Sequence, residues 1–219
     1  MKNKTLAIRM TAAAVGIMMV AGICAGQSYW KRTYGGTDDN CANAITPTPD
    51  GNFIIAGYTT SFGAGNKDVY LLKIKPNGDT IWTKTYGGTL DGGANAIIQT
   101  KDGNFIVAGY TSSFGMGGED VYLLKINSDG DTIWTKTYGG PVDDTAHTIA
   151  PTLDGNFIVA GSYGGIVRSV YLLKIKPNGD TIWTKSYNIG ICDAGFAITP
   201  TTDGGFIIVG TSEIPSDYQ

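Results

Sequence analysis

The phrase DGDTIWTKTYGG, Asp129–Gly140, returns along the chain in nearly the same words. GDTIWTKTYGG stands at Gly78–Gly88, GDTIWTKSY at Gly179–Tyr187, and a worn copy, YWKRTYGG, at Tyr29–Gly36. Each copy carries one of the four tryptophans, Trp30, Trp82, Trp134 and Trp183, at spacings of 52, 52 and 49 residues. A period near 50 residues calls for a stack or ring of repeated units, because one such unit cannot bury its own apolar faces.

Between the tryptophans three further phrases recur. The first reads ANAITPT, ANAIIQT, AHTIAPT and FAITPT; the second NFIIAGYT, NFIVAGYT, NFIVAGSY and GFIIVGT; the third DVYLLKI twice and then SVYLLKI. Each is short and rich in Ile, Val, Tyr, Thr and Phe, which suits strands. Asp-Gly joins the first phrase to the second at Asp50-Gly51, Asp102-Gly103, Asp154-Gly155 and Asp203-Gly204. Asn-Gly or Asp-Gly joins the third to the tryptophan phrase at Asn77-Gly78, Asp129-Gly130 and Asn178-Gly179. These pairs favour tight hairpin turns, so each repeat reads as a four-stranded antiparallel meander, A-B-C-D. Both faces of strand B are apolar, as in Phe105, Val107 and Gly109 against Ile106, Ala108 and Tyr110. A sheet covered on both sides and repeated along the chain is a propeller blade. The tryptophan is expected to anchor one blade to the next.

The fold class expected is therefore all-β: a β-propeller of about four four-stranded blades, the last incomplete. The repeats run approximately 29–81, 82–133, 134–182 and 183–219. An opening D strand, three full sets and a final A-B pair make fifteen strands, one short of a four-blade ring. Three readings stay open: a piece of a longer propeller, a four-blade ring with a reduced last blade, or two chains completing one ring. Cys41 and Cys192 lie in the first and last D-A connections. They are expected to form a disulfide if the ring closes, or to pair between chains in a dimer.

Residues 1–26 read as a signal peptide. Lys2, Lys4 and Arg9 precede an apolar run, Thr11–Gly26, that is short of the roughly 20 residues a spanning helix needs. Cleavage is expected after Ala25 or Gly26, leaving a secreted or cell-envelope domain, 27–219, with no membrane span. Losing those three cations and no acid takes the net charge from −3 to −6. The remaining Lys and Arg are scattered, so nucleic acid is not an expected partner.

DGNFIVAGYT, DVYLLKI and GDTIWTKTYGG resemble the tandem β-propeller repeat of secreted and surface proteins of bacteria and archaea. The resemblance covers residues 28–219 and implies a surface propeller, often without assigned activity.

In a meander the A-B and C-D turns share one face and the B-C and D-A loops the other. The first face is monotonous; the second varies from repeat to repeat. That variable face is the expected ligand surface. Its candidate residues are Asp39, Asp91 and Asp143, at one repeat-equivalent D-A position, with Phe62, Lys67, Phe114, Glu119 and Arg168 from the B-C loops. The three aspartates are read as turn caps, with an acidic ring around a cation as the alternative. No cofactor or metal site is expected. His147 is the single histidine, and is placed in or beside the central wall. No Ser-His-Asp motif or phosphate loop appears. A sialidase-like propeller uses three arginines, and only Arg32 and Arg168 follow the leader. The expected function is a non-catalytic binding or scaffolding module for a protein or glycan. The alternative is a glycan-cleaving enzyme using two loop carboxylates.

Overall fold

The computed structural model describes residues 30–213, together with the backbone of residues 17–21. The predicted leader therefore lies outside the described residues except for one short strand, β1 (Ile17–Ala21), which pairs antiparallel with β2 (Trp30–Tyr34). Three complete meanders follow. The first is β3 (Asn40–Pro47), β4 (Phe53–Thr59), β5 (Asp68–Ile74) and β6 (Thr80–Tyr86). The second is β7 (Gly92–Gln99), β8 (Phe105–Thr111), β9 (Asp120–Ile126) and β10 (Thr132–Tyr138). The third is β11 (Asp144–Pro151), β12 (Phe157–Tyr163), β13 (Ser169–Ile175) and β14 (Thr181–Tyr187). A two-stranded sheet, β15 (Ala194–Pro200) and β16 (Phe206–Thr211), ends the described chain.

The fifteen expected strands are all present. The sixteenth, β1, was not foreseen, and it stands where strand C belongs. Ile17 lies opposite Tyr34 and Ala21 opposite Trp30, the register in which Val69 meets Tyr86 and Lys73 meets Trp82. An apolar run beside an unpaired strand edge satisfies that edge, whatever else the run is for.

In the three complete sheets the central strands B and C are buried on both faces. Phe105, Ile106, Leu123, Leu124 and Ile126 are fully covered. One side of each sheet meets the sheet before it and the other the sheet after. Ile54, Ala56, Val69 and Leu71 of the first sheet pack against Phe105, Val107, Tyr122 and Leu124 of the second. Ile106, Ala108, Val121 and Leu123 of the second then pack against Phe157, Val159, Tyr171 and Leu173 of the third. These are the blade-to-blade seams that the two-sided pattern of strand B requires.

The outer strand D closes each seam at its rim. Tyr86 donates its hydroxyl to Gly130 O at 2.5 Å, and Tyr138 to Gly179 O at 2.5 Å. Lys84 pairs with Asp131 at 2.7 Å and Lys136 with Asp180 at 2.6 Å. The strand β2 repeats the pattern, with Tyr34 on Gly78 O and Arg32 on Asp79. The tryptophans sit in these seams half-buried rather than enclosed, Trp82 against the first core cluster and Trp134 against the second. The indole N–H of Trp30 reaches Pro76 O and that of Trp82 reaches Ser128 O in the next C-D turn, whereas the Trp134 N–H is buried without a partner.

Every A strand carries a bulge at one repeat position: Asn43, Asn95, His147 and Phe196. A bulge leaves one residue unpaired and re-aims its side chain. Opposite each bulge strand B has glycine, Gly57, Gly109, Gly161 or Gly210. A Cβ there would overlap the carbonyl oxygen of Cys41, Gly93, Thr145 or Ala194 in turn. The constant glycine of FIVAG is what lets the bulged backbone come that close.

The sheets stack in chain order and the last does not pack back on the first. Cys41 and Cys192 are both free, half-buried thiols. The disulfide expected on ring closure is therefore not made within this chain, because the arc that holds the two cysteines stays open.

Candidate functional site

The D-A and B-C loops meet on one face, tied by backbone hydrogen bonds. Thr60, Ser112 and Gly164 of the B-C loops donate N–H to Asp39 O, Asp91 O and Asp143 O at 2.7–2.9 Å. The three aspartates thus hold loop to loop through their carbonyls. Their side chains do not converge. Asp39 is exposed, the Asp143 carboxylate accepts the Glu119 N–H at 3.1 Å, and Asp91 keeps one buried oxygen without a partner. Among the described residues no three or more His, Cys, Asp or Glu side chains gather to hold a metal ion. The Asp143 carboxylate caps a loop N–H as a turn cap would, whereas Asp39 and Asp91 are tied through their carbonyls.

Lys67, Glu119 and Arg168 turn out to be repeat-equivalent, each the last residue before strand C. Their carbonyls accept N–H groups from the next sheet, Gly92, Asp144 and Asp193, at 2.6–3.1 Å. Their side chains take different partners. Lys67 Nζ sits 5.0 Å over the Tyr58 ring. Glu119 accepts the Thr145 hydroxyl at 3.1 Å. The charge of Arg168 bears on His147, whose imidazole is pushed below its ordinary range first by burial and then by that guanidinium.

Beneath them runs the bulge column. Asn43 donates its amide to Ala94 O and Asn95 to Ala146 O, both at 2.8 Å, stitching neighbouring A strands together. His147 breaks the ladder. Its Nε2 lies 3.5 Å from Ser162 Oγ and its ring 4.9 Å from the Phe196 ring. Sequence reading placed His147 correctly in the wall but missed the column. The signal for it was the glycine of strand B, which marks close backbone approach.

Phe62 and Phe114 each lie beside the tyrosine that follows in strand C, with ring centroids 6.0 Å from Tyr70 and 6.2 Å from Tyr122. Both phenylalanines remain 46% exposed. They are joined on this face by exposed Leu90, Met116, Ile166, Val167, Ile189 and Ile191, whereas the opposite face offers Leu153 alone among the described residues.

Two acidic side chains of this face point inward. Asp120 and Asp144 are 2% and 0% exposed and approach one another across Gly139. Asp120 accepts the N–H groups of Met116 and Gly117, and Asp144 that of Gly140. Burial, with smaller contributions from Asp120 and Asp143, raises the Asp144 carboxyl to about 6. A raised acid favours the fold while neutral. That contribution is complete below about pH 4 and is lost as the pH rises through 6. Asp144→Asn should therefore stabilise the protein by about 1–2 kcal/mol at pH 7.5, after allowance for screening, and by little at pH 4.5. Urea midpoints at the two pH values measure it; equal shifts at both would contradict this assignment.

Residues 48–80 and 100–132 match the model of a β-propeller domain of unknown function. The two matches are 52 residues apart, the period of the tryptophans. Among solved structures the chain is similar to the periplasmic gluconolactonase of Pseudomonas aeruginosa, at 12% identity and a TM-score of 0.47. That likeness covers 83% of this chain and 54% of the other, so the chain spans about half the length of that structure. No curated protein matches the sequence.

Proposed function

We propose that this tandem β-propeller protein is a non-catalytic binding or scaffolding module of the cell exterior or envelope, recognising a protein or glycan through its B-C/D-A face. One observation carries the reading. The exposed apolar side chains of the loops are concentrated on the face where the repeats differ, and are nearly missing from the face where they agree. Apolar side chains held out on rigid loops mark an interaction surface. The half-exposed rings of Phe62 and Phe114 suit an apolar protein surface or the face of a sugar ring.

The carboxylates support the same reading. A glycosidase needs two that reach the substrate. Asp120 and Asp144 do come together, but they are covered and occupied by loop N–H groups, an arrangement that builds the loops instead. Asp39 and Asp143 lie in separate loops.

The test is a pull-down from the cell-envelope fraction together with a glycan array, using the wild type and the quadruple variant Phe62→Ser, Phe114→Ser, Met116→Ser, Ile166→Ser. All four side chains are exposed, so the melting temperature should hold within a few degrees while capture falls at least tenfold. Undiminished capture by the variant would move the binding surface elsewhere. Release of sugars from a polysaccharide by the wild type would replace the reading with the enzymatic one.

A further inference from the structure

The two ends of the arc are complementary halves of one blade. At the C-terminal end β15 and β16 supply strands A and B, and no strand C or D follows among the described residues. At the N-terminal end β1 and β2 supply strands C and D, in C-D register, and no strand A or B precedes them among the described residues.

Each end leaves bare the surface that the other lacks. Ile207 and Val209 of β16 correspond to Ile106 and Ala108, which are fully buried against the third sheet. Here they are 57% and 64% exposed. At the other end Ile45 of β3 corresponds to Ile97 and Ile149, which are 6% and 5% exposed in the inner seams, yet Ile45 is 49% exposed. The outer half of that end is already covered. Trp30 and Tyr34 of β2 pack on Ile55, Leu72 and Ile74 as a preceding blade's strand D would. What is missing in front of Ile45 is an A-B pair. What is missing beyond Ile207 and Val209 is the back of a first sheet.

The outer half of the last seam is also vacant. An open groove of about 800 Å³ runs beside β16, lined by Val170, Leu172, Trp183, Tyr187, Phe206 and Ile208. It occupies the place in which strands C and D of a completed last blade would lie.

We propose that a second copy of the chain completes this blade. The β15–β16 pair of one copy seats on β3 and β4 of the other, alongside the other's β2, and the exchange is made twice. Among the described residues each copy brings three complete sheets and two half sheets, so two copies close a ring of eight blades, within the usual range for propellers. The contact is the chain's own blade-to-blade seam, already used between its first and second and its second and third sheets, now made between copies. Closure on itself would bury Ile45, Ile207 and Val209, and the chain leaves all three bare. Cleavage after Ala25 or Gly26 would remove β1 and leave the shared blade without its strand C, but it keeps β2 and both apolar faces, on which the pairing rests.

The experiment is light scattering after gel filtration on the chain expressed with its own leader, at 1–50 µM, with the N-terminus of the sample sequenced. Wild type should run at twice the chain mass. Ile207→Lys should run at the mass of one chain with near-native far-ultraviolet circular dichroism, since the side chain is exposed in the single arc. Ile81→Lys, on the outer strand away from the seam and 41% exposed, should stay dimeric. A monomeric wild type would overturn the proposal, and a melting temperature that falls on Ile207→Lys would then assign closure to a single chain. A ladder of masses above two would overturn the eight-blade ring. So would a dimer that survives Ile207→Lys.

Discussion

Gly109→Ala should cost the protein about 3 kcal/mol or more, lowering the melting temperature by roughly 10 °C. Gly109 faces the bulge that Ala94 and Asn95 make in β7, and the new Cβ would overlap the Gly93 carbonyl oxygen. That atom is backbone, so no rotamer change relieves the clash. Either β7 withdraws from β8 or the bulge is lost. A lost bulge would shift one half of β7 by one residue, so that Ala94 and Ile97, which the bulge now sets on the same buried face, would point to opposite faces. Asn95 would lose its amide bond to Ala146 O, so the damage reaches the third sheet. Gly103→Ala is the comparison: it sits in the Asp-Gly turn at φ +80 with open space around its missing Cβ. Only backbone strain opposes that change, about 1 kcal/mol. Thermal melts of both variants measure the difference. Equal losses would mean that the bulge does not depend on glycine.

The second large effect belongs to the lysine of strand C. Lys73 and Lys125 are 4% and 6% exposed, lying in the middle of apolar sheets. Each reaches an aspartate in the A-B turn of its own sheet: Lys73 to Asp50 at 2.8 Å, Lys125 to Asp102 at 2.7 Å. Lys174 repeats this with Asp154. The turn thereby places an anion over the one cation that the sheet buries. Asp102→Ala should cost about 2 kcal/mol, below the usual range for a broken buried pair because Asp102 is half exposed and water can replace it. Lys125→Met, which removes the cation with its need for a partner, should cost less than Asp102→Ala. The reverse order in urea titration would show that the aspartate matters for its turn rather than for the lysine. These pairs also respond to acid. Burial raises Asp102, but bonds from Lys125, Thr100 and Asn104 outweigh it and hold the carboxyl well below its ordinary value. Lys73 and Thr48 lower Asp50, and Lys174 and Thr152 lower Asp154. Folded values below the unfolded ones give stability that is present above about pH 4 and lost as the pH falls further. Asp144 has the opposite sign, so the two kinds of acid pull the stability profile in opposite directions on either side of about pH 4.

Period and turn chemistry made the sheets legible in the sequence. Gly-containing pairs mark the hairpins, and a strand B apolar on both faces shows that each sheet has two neighbours. The same regularity hid the finer geometry. Asn43, Asn95 and His147 look like ordinary members of an A strand, because a bulge is a property of two strands in register and not of one. Nothing in DVYLLKI itself marks its lysine as buried beside the Asp of the neighbouring hairpin. At the site, Asp39, Asp91 and Asp143 were correctly placed in one loop position, yet their carbonyls do the tying that their carboxylates were credited with. Lys67, Glu119 and Arg168 could have been aligned from sequence as the residues before strand C. Their differing charge obscured the shared role of their backbones.

The meander has a consequence for how the chain acquires its shape. Every strand pair in the three complete sheets joins strands adjacent in sequence, and each seam joins one repeat to the next. Loop closure is therefore short everywhere, and the entropy spent before the first favourable contact is small for an all-β protein. A chain threaded N-terminus first through an exporting pore can finish its first sheet while the third is still unreleased. Each sheet that emerges then finds its template already standing, and only the two outermost faces are left open.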